Sequence, residues 1–219
     1  MADIGEPLAK ERKRAVDDII AGVRAFQRDI HPQYRELFQQ LATGQAPRAM
    51  VITCSDSRID PFLFTQAQPG QLFVLRNAGN IVPEHSDFVG GVTATIEFAV
   101  VELKVPNIII CGHSGCGAVA GLLHPERIRH LPEVGNWLHH AAKARKQVAE
   151  TGGLDAPDAM ERAVAANVVV QLANLRTHPC VAAALEGGRM GIHGWVYDFV
   201  TGSILAYKDR DQMFVPLGE

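Results

Sequence analysis

The chain has 219 residues, 47% apolar and 21% charged, a composition that supports a packed core and excludes a disordered polymer. A formal net charge of −3 and a pI near 6.3 give no bulk attraction to nucleic acid or to an anionic membrane. No apolar run reaches transmembrane length, and Met1-Ala2-Asp3-Ile4-Gly5-Glu6 lacks the basic and apolar regions of a secretory signal, so the expected location is the cytoplasm.

Along the chain, Val16, Ile19, Ile20, Val23, Phe26 and Ile30 recur at spacings of three and four, which predicts a helix over 10–30. The run Lys10-Glu11-Arg12-Lys13-Arg14 reads as its solvated first turn. Pro32 closes it, and 33–42 reads as a second, short helix. Residues 1–44 thus form a helical arm that packs either on its own core or on a partner subunit, and 1–219 reads as a single domain.

Ala49-Met50-Val51-Ile52-Thr53 and Leu72-Phe73-Val74-Leu75 are short apolar runs, as expected of buried strands. Residues 90–103 are apolar almost all round (Val92, Ile96, Phe98, Ala99, Val100, Leu103), which predicts a helix buried in the middle of the protein. Asn107-Ile108-Ile109-Ile110 is a third strand, running into a glycine-rich turn around His113. Helices are expected over 133–149, 157–175 and 179–187, and late strands over 190–197 and 203–207, joined at Thr201-Gly202. Strands alternating with helices predict an α/β fold with a mostly parallel central sheet flanked by helices.

In such sheets, functional groups gather beyond the carboxyl ends of the strands. Cys54-Ser55-Asp56-Ser57-Arg58 leaves the first strand and His113-Ser114-Gly115-Cys116 leaves the third, so both motifs share one end. Cys54, His113 and Cys116 offer two thiolates and an imidazole. That set can hold zinc with one position open, as catalytic zinc requires, whereas structural zinc takes four protein ligands. Taken singly, each has a plainer reading: a core thiol, a turn residue, a helix-start thiol. Asp56 has two open roles, either as a fourth ligand or as the acceptor that orients metal-bound water while Arg58 grips it. Of the other two cysteines, Cys111 lies in the third apolar run and reads as a core thiol, and Cys180 reads as structural. Two disulfides are the poorer reading without a secretory signal.

Gly115-x-Gly117-x-x-Ala120 is similar to a dinucleotide-binding fingerprint. That fingerprint needs a second strand ending in an acidic residue about 20 residues on, and His130-Leu131-Pro132-Glu133-Val134-Gly135 is no strand. The glycines serve a tight turn instead.

Cys-x-Asp-x-Arg followed by Gly-His-Ser-Gly-Cys-Gly resembles the β-class carbonic anhydrases. The likeness extends to Gln45, Pro69-Gly70, Arg76-Asn77-Ala78-Gly79-Asn80, Gly90-Gly91 and His193-Gly194-Trp195-Val196-Tyr197. Gln45 with Val51 is similar to the plant-type subclass, including bacterial members of cyanate-degradation operons. The resemblance implies zinc (Zn2+, one per subunit) on Cys54, His113 and Cys116, and a catalytic dyad of Asp56 and Arg58. Gln45 would donate to substrate from a neighbouring subunit. Phe73, Ala78, Phe98 and Gly117 fall at the small carbon dioxide pocket, with Ala78 and Phe98 where plant members commonly have Val and Tyr. The implied reaction is reversible hydration of carbon dioxide to bicarbonate and a proton by zinc-bound hydroxide. The implied assembly is a homodimer or higher homo-oligomer whose N-terminal helices wrap a partner. A second bacterial subclass carries Trp three residues before the first Cys, in an inhibitory bicarbonate pocket that Arg76 and Tyr197 fall near. Val51 stands at the Trp position here, so strong bicarbonate inhibition is not expected. Two rivals are weighed beside this reading. One is hydrolysis of carbon disulfide or carbonyl sulfide on the same scaffold. The other is a non-catalytic zinc protein, which would be expected to lose Asp56, Arg58 or the apolar wall.

Overall fold

The structure is a computed structural model that describes residues 5–86 and 90–218. It divides into two compact units, 1–45 and 46–219.

The first unit begins with α1 (Gly5–Ala25), loosens into a wider π turn over Phe26–Ile30, tightens into a 3-10 turn over His31–Tyr34 and ends with α2 (Arg35–Leu41). The expected 10–30 helix therefore starts earlier and loses regular winding after Ala25. An aromatic group holds the bend. His31 stacks on Phe38 with centroids 5.6 Å apart, and Phe26 meets His31 edge-on at 5.8 Å. The stripe Val16, Ile19, Ile20, Val23, Phe26 and Ile30 is 42–68% exposed along one helical face.

The second unit carries β1 (Ala49–Cys54), α3 (Pro61–Thr65), β2 (Leu72–Asn77), α4 (Gly91–Glu97, running on as a π turn to Glu102) and β3 (Asn107–His113). It continues through α5 (Gly117–Leu123), α6 (Pro132–Leu138), α7 (Ala142–Thr151), α8 (Ala159–Arg176) and α9 (Pro179–Glu186) to β4 (Gly191–Tyr197), β5 (Ile204–Lys208) and β6 (Met213–Pro216). The sheet order is β2-β1-β3-β4-β5-β6. The first four of these strands are parallel, and β5 and β6 add an antiparallel edge. The expected α/β fold with a mostly parallel sheet is what forms.

Alternate residues of the central strands serve opposite faces. Met50, Ile52, Ile108 and Ile110 are fully buried and pack with Val168, Leu172 and Leu175 of α8. Val51, Ile109 and Cys111 face the other way, onto Phe64, Trp195 and Tyr197. Helix α8 lies very close to the sheet. A Cβ built on Gly112 would stand 2.8 Å from Val168 Cγ2, and one on Gly194 would stand 2.8 Å from both Leu172 Cδ1 and Val168 Cγ1. Glycine at these two positions is what lets helix and strands approach.

Two expectations need correction, and two elements lie outside what the pattern indicates. Residues 90–103 are not buried all round, because Ile96, Ala99 and Val100 face the core while Phe98 and Val101 are about half exposed. The helix expected over 133–149 breaks at a 3-10 turn, His139–Ala141, into α6 and α7. Helix α3 was not expected, although Asp60-Pro61 signals it: Asp60 Oδ1 caps the amides of Phe62 and Leu63, and Pro61 starts the helix. Strand β6 was not expected either, being only four residues that end in proline.

Candidate metal centre and active site

In β1 and β3, Thr53 lies opposite Cys111, so Cys54 and His113 emerge at the same end of neighbouring strands. The turn after His113 returns through Gly115 at φ +61, a left-handed conformation that favours glycine, and delivers Cys116 to the start of α5. The ligand atoms of Cys54, His113 and Cys116 lie within 4.8 Å of one another, and all three residues are buried. Among the described residues this is the only such group of His, Cys, Asp or Glu.

The group fits a zinc ion on two counts. Cys54 Sγ and Cys116 Sγ are 3.9 Å apart, close to the ~3.8 Å edge expected for two sulfurs about 2.3 Å from a tetrahedral zinc. His113 Nδ1 stands 2.8 Å from the Ser114 carbonyl, which can only accept, so Nδ1 carries the proton and Nε2 presents a lone pair. That Nε2 is buried with no hydrogen-bond partner. A buried unpaired acceptor is costly, and a cation between the sulfurs would satisfy it.

The two thiols are within hydrogen-bond reach, so that a proton on either can bridge them. Cys54 is pulled well below the usual thiol range, chiefly by a hydrogen bond from Cys116 and further by the neighbouring His113 ring and the amides of Gly79 and Asp56, against the opposing effect of burial. Cys116 is pushed up by the same contact and by burial. A divalent cation would displace that proton. Cys111, fully buried, is pushed up to about 12 by loss of solvent, as a core thiol should be. Cys180 is half-buried, packs against the core and is likewise raised by burial. All four cysteines are unpaired.

Beside the group, Asp56 is held in a two-pronged grip. Arg58 Nε donates to Oδ1 at 2.9 Å and Nη2 to Oδ2 at 2.7 Å, while the Arg58 amide also reaches Oδ1 at 3.0 Å. These bonds hold the Asp56 carboxyl well below the usual carboxylate range. Asp56 Oδ2 lies 3.9 Å from His113 Nε2, and Asp56 is not part of the three-residue ligand group.

Further contacts brace the group. Arg58 Nη2 also donates to the Gly115 carbonyl at 3.1 Å, and its guanidinium lies 4.4 Å above the Phe199 ring. Arg76 clamps the β1 exit by donating Nε to the Cys54 carbonyl at 2.9 Å and Nη2 to the Asp56 carbonyl at 2.7 Å. Ser114 Oγ donates to Asp198 Oδ1 at 2.9 Å. Asn167, Gln171 and Asn174 are buried on α8 and bond the backbone of Gly79 and Val82. Polar residues at spacings of four and three on an apolar helix were the available signal for that stripe.

The residues assigned to substrate divide. Ala78 and Gly117 are exposed and border the metal group: Ala78 precedes Gly79, whose N–H donates to Cys54 Sγ at 3.4 Å, and Gly117 follows Cys116, with nothing within 4 Å of a Cβ built on it. Phe73 sits opposite Met50, four residues before the Asn77–Cys54 pair, or about 13 Å along the strand. Its ring lies 6.1 Å from that of Phe98. Within one chain these two rings do not join the metal group. Gln45 is exposed at the end of the first unit.

The family model described as carbonic anhydrase matches residues 49–204. A carbonic anhydrase of Pseudomonas aeruginosa is 50% identical over 202 residues, covering 92% of each chain. One from Synechococcus elongatus is 44% identical over 189 residues, covering 85% of this chain and 70% of its own. Among solved structures, the β-carbonic anhydrase CcaA superposes with a TM-score of 0.90 at 41% identity, covering 94% of this chain and 93% of that one. One of two tetrameric β-carbonic anhydrases from Sordaria macrospora gives a TM-score of 0.68 at 33% identity, covering 96% and 98%. Sequence, fold and the Cys-His-Cys group agree that this chain belongs to the β-carbonic anhydrase family.

Proposed function

We propose that the chain catalyses reversible hydration of carbon dioxide to bicarbonate and a proton, with one zinc ion per subunit held by Cys54 Sγ, His113 Nε2 and Cys116 Sγ. The observation that carries this reading is the buried, unpartnered Nε2 of His113 facing two sulfurs, with an ionised, firmly held carboxylate alongside. Zinc, when bound, is a Lewis acid that brings the pKa of a coordinated water toward neutrality.

The protein groups have distinct tasks. Asp56 accepts a hydrogen bond from the attacking oxygen and aims its lone pair at carbon. Arg58 fixes that carboxylate in direction. Carbon gains one C–O bond as one C=O π bond opens and its electron pair moves onto that oxygen, and the water's proton leaves to solvent. Gln45 of a neighbouring subunit donates to a product oxygen, while Phe73, Ala78, Phe98 and Gly117 supply an apolar wall suited to an apolar substrate. Phe73 and Phe98 lie far from their own metal group, so this part of the reading calls on a second copy to bring them in.

The plant-type assignment, with its similarity to members of cyanate-degradation operons, rests on Gln45 and Val51. Val51 is buried in a cluster with Phe64 and Tyr197, whose rings are 4.8 Å apart, and Arg76 is engaged by two carbonyls. These contacts support an enzyme without strong bicarbonate inhibition. The chain is proposed as a single β-carbonic anhydrase domain over 1–219, working as a homodimer or larger homo-oligomer with the 1–44 arm on a partner. Unpaired cysteines suit a reducing compartment, and the cytoplasm is the proposed setting.

Stopped-flow hydration of carbon dioxide by the zinc-loaded protein and its Asp56→Ala variant tests the reading. The native chain should be active and the variant slower by about a hundredfold. Equal rates would remove Asp56 from the mechanism. A native rate no faster than buffer, with sulfide released from carbon disulfide, would reassign the substrate.

A further inference from the structure

The peptide unit joining Ala78 to Gly79 is gripped at both ends. At one end, Trp137 on α6 donates its indole Nε1–H to the Ala78 carbonyl at 2.8 Å. At the other, the Gly79 N–H of the same unit donates to Cys54 Sγ at 3.4 Å. Carbonyl and N–H of a trans peptide point in opposite directions, so a donor fixing one end sets the aim of the other. The next carbonyl, that of Gly79, takes a bond from Asn167 Nδ2 at 2.9 Å in the buried interior. Gly79 has φ +81, and a Cβ there would stand 3.1 Å from Ala118 Cβ, so glycine is the residue that fits this turn. The Trp137 ring packs against the apolar cluster that contains Cys54, Ile81, Cys116 and Val119.

We infer that Trp137 is a positioning residue for the Cys54 sulfur, acting through the Ala78–Gly79 peptide. The inference rests on the metal-binding reading of Cys54 above. A hydrogen bond accepted at the carbonyl polarises the amide and strengthens its N–H as a donor. That N–H draws charge from the sulfur and limits the directions in which the sulfur can offer its lone pairs. Groups that orient a metal's ligands commonly matter by 10- to 100-fold in affinity, and the rigid indole reaches the peptide from outside the ligand motifs.

The test is a Trp137→Phe variant, which keeps an aromatic ring and loses the donor. Zinc affinity by chelator competition should fall about tenfold. In proton–nitrogen NMR of the zinc-loaded protein, the Gly79 amide proton should move upfield, while the amides of Ala118 and Val119, which point at Cys116, stay in place. The thiolate-to-metal absorption of the cobalt-loaded variant should shift with them. An unchanged Gly79 resonance and unchanged affinity would overturn the inference. If the variant does not fold, the native chain decides: zinc loading should move the Trp137 indole proton together with the Gly79 amide, and an indole proton indifferent to zinc would contradict the proposal. A native chain that binds no zinc would instead overturn the metal reading itself, so the two failures are distinguishable.

Discussion

Arg58 commits its whole guanidinium to the site: two bonds to Asp56, one to the Gly115 carbonyl, and its face to Phe199. Its amide and its fork both meet Asp56, so removing the side chain leaves the carboxylate in place with one fastening instead of three. Arg58→Ala should lower the rate of carbon dioxide hydration by about tenfold to a hundredfold in a stopped-flow assay. Arg58→Lys should recover little, because a point charge cannot reproduce the planar fork. The pH dependence separates aim from charge. Arg58 holds the Asp56 pKa low, and without it that pKa rises toward the ordinary value of about 4, still ionised at neutral pH. The deficit should therefore be constant between about pH 7 and pH 9. A deficit that vanished with rising pH would assign Arg58 to charge rather than geometry. At this scale the ligand triad and the Asp56–Arg58 pair were legible because each motif is short and sits directly after a strand. Phe199, Asp198 and Trp137 were not, since they reach the site only after distant segments fold back on it.

Among the elements, α8 packs on the sheet more closely than side chains would normally allow, over Gly112 and Gly194. Gly194→Ala places a methyl against Leu172 and Val168 and should cost about 1–3 kcal/mol, seen as a fall in Tm of roughly 2–4 °C per kcal/mol. Gly22→Ala on α1 is the contrasting case. Nothing stands within 4 Å of its Cβ position, and the exchange should be neutral or stabilising by up to about 1 kcal/mol. A melting shift for Gly194→Ala no larger than that for Gly22→Ala would mean that close helix–sheet approach does not set the cost. Hydrophobic pattern revealed the strands and most helices. It misjudged 90–103, because an apolar sequence looks the same whether the whole helix is covered or, as here, Phe98 and Val101 are left exposed. It also ran α6 into α7, since His139-His140-Ala141 carries no proline or glycine to mark the break.

For the whole molecule, the exposed faces carry the prediction. The stripe runs from Val16 on α1 to Ile30 in the π turn, and Ile19 alone is 68% exposed. Six large apolar side chains on one helical face are what a partner surface requires. Ile19→Asp should lower the sedimentation mass relative to the native chain, and a native chain already monomeric would contradict the proposed arm exchange. The sequence showed this stripe clearly but could not say what covers it. The central claim is narrower: a buried Cys-His-Cys group that binds zinc and makes this chain a hydratase. It is tested most directly by measuring bound zinc and carbon dioxide hydration on one preparation, before and after chelation and again after zinc is restored. One zinc should be found per chain, with activity lost on chelation and regained on restoration. Full activity in the metal-free protein, or zinc that binds equally well after Cys54→Ser and His113→Ala, would contradict it.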